Sequence, residues 1–130
     1  WKVASFPLVP GHEIVGTIAA VGDDAETRAK FAVGQRACIG VQRGSCGSCA
    51  CCLERLENLC PKITKTYAGS GKDKGGFANL IRFPTAWVFK APEGMASEQL
   101  GPLMCAGITT YSPLKRHGKP GAKVSEFDGF

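Results

Sequence analysis

Four cysteines at short, regular intervals constrain this chain more than any other feature. Cys46, Cys49, Cys52 and Cys60 form the pattern C-x2-C-x2-C-x7-C. Four thiolates from one short loop satisfy the tetrahedral preference of Zn²⁺, and such a closed shell leaves no position for water or substrate. The surrounding segment, residues 43–61, has too little apolar periodicity to order itself by burial, so metal binding would supply its folding free energy. The pattern predicts a structural zinc site.

Two other interpretations of the cluster stay open at this point. The cysteines could be free buried thiols or form disulfides, although seven Cys is an odd number for a fully paired secreted domain. An iron–sulfur cluster also uses C-x2-C-x2-C, but ferredoxin sequences place the last cysteine three residues on, whereas seven residues separate Cys52 from Cys60. The regular interval selects Cys52 over its neighbour Cys51 as the ligand. Cys38 lies in an apolar strand and is interpreted as a small buried hydrophobe.

Glycine and proline are abundant, which favours short strands joined by turns. The chain holds 17 Gly and 8 Pro in 130 residues, a length sufficient for one compact domain. Strands are predicted where apolar runs end at turn residues: 12–21, 35–41, and a hairpin of 77–83 with 87–89. Helices are predicted from Ser97 and over a stretch from Ile108 that ends at Gly118. The expected fold is mainly β with one or two short C-terminal helices, an α+β arrangement around a partly open β-barrel.

Charge and hydropathy argue against several classes of protein. Sixteen basic residues against eleven acidic ones give a net charge of +5, but the charges are scattered along the chain. We therefore expect no nucleic-acid partner. No apolar run approaches the roughly 20 residues of a membrane-spanning helix, so no membrane partner is expected either. The cysteine pattern and the lack of a signal-peptide pattern favour a reducing, cytoplasmic location. If the chain is not an enzyme, the alternative is a zinc-stabilised structural module or one that binds nucleic acid or protein.

A second group of metal-ligating residues comprises His12, Glu13 and Cys105. Imidazole, carboxylate and thiolate are all zinc ligands, and such a set would leave an open, catalytic type of site. Neighbouring residues on a regular strand point to opposite faces, so His12 and Glu13 reach one metal only where the backbone is irregular. Judged from the residues alone, a single His such as His12 is more often a hydrogen-bonded structural residue than a ligand. Likewise, a Cys in an apolar helix, such as Cys105, is more often part of the core.

Several segments, in a fixed order, resemble the medium-chain zinc-dependent alcohol dehydrogenases. One segment is the cysteine lobe, residues 43–61. Outside it, the resemblance lies in residues 11–16 (Gly-His-Glu-Ile-Val-Gly), 31–36, 75–78 and 103–114. The last is particularly similar to the cinnamyl alcohol dehydrogenase branch, and the four-cysteine lobe resembles the structural zinc site of the family. Together these segments span about residues 6–124.

The resemblance implies a GroES-like catalytic domain over residues 1–124, N-terminally incomplete, with its zinc lobe at residues 43–61. It implies catalytic zinc ligands at His12 and Cys105, with Glu13 as an adjacent carboxylate that enters or leaves the shell. The four lobe cysteines match structural zinc ligands, and Thr109 matches a position near the cofactor. The implied reaction is hydride transfer between NADP(H) and a primary alcohol or aldehyde, with zinc as the Lewis acid.

Two departures from the family pattern affect the expected activity. In the family, a further catalytic Cys ligand lies upstream of the Gly-His-Glu motif, at a point that would precede Trp1. At the other end, residues 125–130 match nothing in the pattern, and the G-x-G-x-x-G turn of a nucleotide-binding domain does not appear. We therefore expect a catalytic-domain fragment without that domain, inactive alone and monomeric or weakly self-associating, from a parent enzyme that is a homodimer.

Overall fold

A computed structural model of the chain describes residues 6–67 and 75–125. The strands are short: β1 (Ile14–Thr17), β2 (Arg36–Ile39), β3 (Gln42–Gly44), β4 (Thr64–Lys65) and β5 (Val88–Lys90). The helices are α1 (Ala25–Lys30), α2 (Ala50–Leu53), α3 (Ser97–Pro102) and α4 (Ile108–His117). Two 3₁₀ turns span Glu57–Leu59 and Thr85–Trp87, and a π-helical turn, Leu103–Gly107, joins α3 to α4.

The strands form two small antiparallel sheets. One has the order β1-β2-β5 and the other pairs β3 with β4. Cys38, at the middle of the central strand β2, pairs with Val15 on one side and Phe89 on the other. It is 1% exposed, so its interpretation as a buried hydrophobe is confirmed, and so is the strand predicted around it. The strands close no barrel within residues 6–67 and 75–125, and the second sheet serves to carry the cysteine lobe.

The hairpin predicted between residues 77–83 and 87–89 is wrong. The second of these segments does form β5, but it pairs with β2 in the register Cys38↔Phe89. Residues 77–83 form no strand, and the side chains of Phe77 and Leu80 are 80% and 79% exposed. The buried central strand β2 needs a hydrogen-bonding partner on each side, and β5 is its second partner beside β1.

Helix α1 is a feature that the apolar pattern does not predict. Asp24 caps it, because its carboxylate accepts a hydrogen bond from the backbone amide of Thr27 at 2.8 Å. This bond holds the pKa of Asp24 below its ordinary value. Thr27 and Phe31 are 5% and 4% exposed, so the helix packs against the core through one face only. The Asp cap is a recognisable signal, but six residues are too few for a visible helical period.

The predicted start of the first C-terminal helix and both predicted ends of the second are confirmed. Helix α3 starts at Ser97, and α4 runs from Ile108 until Gly118 caps it. Leu100 of α3 is 2% exposed, and α3 packs against β1. Within the residues that the structure describes, no helix combines the length and the apolar character needed to cross a bilayer.

Candidate metal centres

The four cysteines with metal-like spacing lie together in one lobe. Their sulfur atoms are all within 4.8 Å of one another. The Sγ atom of Cys52 is 3.5 Å from that of Cys49 and 3.9 Å from that of Cys46. A tetrahedral ion with Zn–S bonds of about 2.3 Å would hold its sulfurs roughly 3.8 Å apart. The cysteine cluster therefore fits a structural zinc ion.

Backbone amides of the lobe point at these sulfurs. The amide of Cys46 donates to Sγ of Cys60 at 3.4 Å, and the amide of Cys49 donates to Sγ of Cys46 at 3.4 Å. Lys62 donates its amide to Cys60 at 3.3 Å. Such N–H···S bonds stabilise thiolates and fix their orientation toward a metal. All seven cysteines lie in the described part of the chain, and none of them is in a disulfide.

Two sulfurs of the lobe show opposite pKa shifts. The backbone amides of Ser48 and Cys49 lower the pKa of Cys46 to about 6. For Cys49, a hydrogen bond from the backbone of Cys52 lowers the pKa, but desolvation and the neighbouring sulfurs outweigh it and raise the pKa to about 12. Several negative sulfurs held this close repel one another, and a divalent cation among them would remove that repulsion. The electrostatics of the lobe thus favour cation binding.

Cys51 does not belong to this converging set. It is half-buried and follows directly after Ala50, at the start of α2, but its sulfur is not among the ligand atoms that meet. The regular two-residue interval, which selects Cys52, agrees with this arrangement.

A second cluster joins His12, Glu13 and Cys105, whose ligand atoms also lie within 4.8 Å of one another. His12 and Glu13 immediately precede β1, and Cys105 lies in the π-helical turn. The backbone before β1 is irregular, since Gly11 has a φ of +98° and the strand begins only at Ile14. Successive side chains are therefore free to face the same ion. A π turn redirects the side chains of a helix and is frequent at functional sites.

A close backbone crossing holds the segment that carries His12. Gly75 donates its amide to the carbonyl of Val9 at 2.8 Å, and Gly76 donates to the carbonyl of Gly11 at 2.9 Å. A Cβ atom on Gly75 would collide with the carbonyl oxygens of Val9 and Pro10. Only glycine permits this approach, so Gly75 helps to place His12.

Gly75→Ala is therefore expected to destabilise the fold by about 1–3 kcal/mol, because the added methyl group forces the two backbones apart. Gly16→Ala is the matched control, since a Cβ atom there meets nothing within 4 Å. We expect a change of at most about 0.5 kcal/mol for the control. Urea unfolding monitored by circular dichroism measures the change in unfolding free energy for both variants. Equal midpoints for the two variants would show that Gly75 is not required for the close backbone approach.

Comparison with known proteins shows the family. Residues 1–93 match the alcohol dehydrogenase GroES-like domain. The chain belongs to this family. The resemblance to alcohol dehydrogenases, including the cinnamyl alcohol dehydrogenase branch, is thus confirmed, and so is the GroES-like fold class. By its description, this family is a domain of alcohol dehydrogenases.

The relatives of this GroES-like domain include dehydrogenases of plants and bacteria. Mannitol dehydrogenase of Petroselinum crispum is 44% identical over 130 residues, which cover 95% of this chain and 38% of the relative. Cinnamyl alcohol dehydrogenase 2 of Arabidopsis thaliana is 42% identical over 123 residues, covering 91% of this chain and 32% of the relative. The chain spans about a third of the length of these relatives.

Solved structures give the same result. A cinnamyl alcohol dehydrogenase of Sorghum bicolor superposes with a TM-score of 0.81 at 34% identity, over 90% of this chain and 34% of that chain. A cinnamyl alcohol dehydrogenase of Helicobacter pylori, complexed with NADP(H), superposes with a TM-score of 0.80 at 37% identity, over 89% of this chain and 34% of that chain. The structural similarity to cinnamyl alcohol dehydrogenases therefore extends over about nine-tenths of the chain.

Thr109, predicted to lie near a cofactor, is not part of either cluster. It lies on α4, beyond the π turn that carries Cys105, and its side chain is exposed. The neighbouring Thr110 instead donates its hydroxyl to the carbonyl of Ala106 at 2.9 Å. Cofactor binding by Thr109 stays a prediction.

Sequence reasoning missed Tyr67, which contacts the second cluster. Its ring stacks on the imidazole of His12, with the ring centroids 5.4 Å apart and the planes inclined by 19°. No motif connects the two residues, because a stacking pair across two distant segments has no fixed spacing. Only the fold reveals it.

Proposed function

We propose that this domain supplies the metal-binding side of an oxidoreductase that transfers hydride between NADP(H) and a primary alcohol or aldehyde. The observation that carries the proposal is the convergence of His12, Glu13 and Cys105 from two distant segments. Three donors leave at least one position of a tetrahedral ion free for a substrate oxygen. The four-cysteine lobe has no such free position, so its proposed zinc is structural.

His12 and Cys105 are the proposed permanent ligands of the catalytic ion. Glu13 is more exposed than either and is proposed to enter or leave the shell. His12 would bind the ion through a ring nitrogen and Cys105 through its sulfur. When bound, zinc polarises the substrate oxygen and lowers the pKa of an alcohol. His12, Glu13 and Cys105 would hold the ion, and a bound nicotinamide cofactor would supply the hydride chemistry.

Further parts of the proposal concern the cofactor and the whole protein. NADP(H) is supported by the Helicobacter pylori relative that is complexed with it, and Thr109 is an exposed residue available to such a cofactor. We propose residues 1–124 as the catalytic domain, with a zinc lobe at residues 43–61, in a cytoplasmic parent enzyme that forms a homodimer. The 130 residues alone are proposed to be monomeric or weakly self-associating, with negligible turnover.

NADPH consumption with aromatic and aliphatic aldehydes tests this function. The chain alone is expected to match the no-protein control. In the intact protein that carries the domain, we expect aldehyde-dependent consumption, and Cys105→Ser should reduce it at least about a hundredfold, because a Lewis acid contributes several kcal/mol. Consumption by the intact protein that survives Cys105→Ser would contradict the proposed role of this cluster.

A further inference from the structure

We infer that Tyr67 positions the imidazole of His12 for metal binding, an inference that rests on the metal site proposed above. The two rings stack at a centroid distance of 5.4 Å with an interplanar angle of 19°. A stacked neighbour fixes the plane of the imidazole and leaves its edge uncovered. Both ring nitrogens lie on that edge. Tyr67 is thus a positioning residue and supplies no ligand.

Tyr67 is itself held in place by the residue before it. Thr66 is 1% exposed, and its amide donates to the carbonyl of Val41 at 2.8 Å. Its hydroxyl donates to the carbonyl of Gly40. A buried polar residue bonded through both groups has little freedom to move. Since Tyr67 follows Thr66 directly after β4, the second sheet fixes its backbone.

The same anchor contacts the segment that carries the other proposed ligand. A Cβ atom on Gly40 would lie 3.0 Å from the carbonyl oxygen of Met104, the residue before Cys105. Gly40 is buried, and this short distance leaves no room for a side chain between its backbone and the π turn. Gly40 therefore contacts both the residue before Tyr67 and the residue before Cys105. Gly40 thus connects the backbone next to Tyr67 with the backbone next to Cys105.

The contribution of stacking can be separated from that of the hydroxyl. Tyr67→Phe keeps the ring and Tyr67→Leu removes it. We expect Tyr67→Phe to bind metal at the second cluster like the wild type, and Tyr67→Leu to bind it about three- to tenfold more weakly, the effect of one aromatic pair. Tyr111→Leu is the matched control, because Tyr111 lies on α4 and is 60% exposed.

The measurement is a Co²⁺ titration of the full chain after the four-cysteine lobe has been filled with Zn²⁺. The dissociation constant reports affinity, and the visible absorption bands of Co²⁺ report the ligand geometry. We expect the same dissociation constant and the same absorption bands for the wild type, Tyr67→Phe and Tyr111→Leu. Tyr67→Leu should bind Co²⁺ more weakly and show altered bands. Zinc retained in the lobe shows that each variant is folded.

Equal affinity and equal bands in Tyr67→Leu and the wild type would overturn this inference alone. A wild type that takes up no Co²⁺ beyond its lobe zinc would overturn the metal site proposed for His12, Glu13 and Cys105, and this inference with it. If Tyr67→Leu does not fold, nuclear Overhauser contacts between the His12 and Tyr67 ring protons in the metal-loaded wild type decide the question. Their presence supports the positioning role, and their absence overturns it.

Discussion

Replacing Cys49 with serine is expected to release one zinc ion per chain and to unfold the cysteine lobe. A serine hydroxyl stays protonated at neutral pH and is a poor zinc ligand. The lobe has little apolar burial to replace the metal, since Leu53 and Leu59 are 74% and 60% exposed. Structural zinc contributes on the order of 10 kcal/mol or more in small zinc domains, which is comparable to the whole stability of a domain. Elemental analysis measures the loss of zinc, and urea unfolding measures the loss of stability.

Cys51→Ser is the matched control for this prediction. It makes the same chemical change two residues away, at a cysteine outside the converging set. We expect it to keep its zinc and its unfolding midpoint. If Cys51→Ser lost the metal and Cys49→Ser kept it, the assignment of ligands in the lobe would be wrong.

Replacing His12 with alanine is expected to remove the second metal ion while the chain stays folded. Only Glu13 and Cys105 would remain as donors, and affinity should fall at least about a hundredfold, the upper range for losing even an outer-shell partner. The effect on unfolding free energy should be small, on the order of 1 kcal/mol, because the lost contact is one ring stack on Tyr67. Metal titration together with urea unfolding separates the two effects.

His117→Ala controls for the general loss of a histidine. His117 is exposed in the last turn of α4 and belongs to neither cluster. The His117→Ala variant should bind metal like the wild type. Equal losses of metal in the two histidine variants would point to surface binding in place of the cluster.

The two metal centres differ in how far the sequence determines them. The lobe follows from local spacing, because its four ligands lie within one short stretch of the chain. Nothing local relates His12 to Cys105, and only the resemblance to alcohol dehydrogenases pairs them. The structure brings them together through the packing of α3 on β1 and through the π turn, which apolar periodicity does not reveal.

The fold likewise combines features that the local sequence predicts with features that depend on contacts between distant segments. Helix α4 could be bounded because Ile108 starts an apolar repeat and Gly118 ends it. The strand at residues 88–90 could be recognised, but its partner could not, since pairing with β2 depends on burial across a long separation in sequence. Tyr67 is the extreme case: its position depends on Thr66 and Gly40, and neither residue carries a recognisable motif.

The most direct test of the account is the zinc content per chain of the wild type, Cys49→Ser and His12→Ala. The two clusters predict two zinc ions in the wild type, with a different one lost in each variant. A wild-type chain that is folded yet free of metal, with its circular dichroism unchanged by added zinc, would contradict the account.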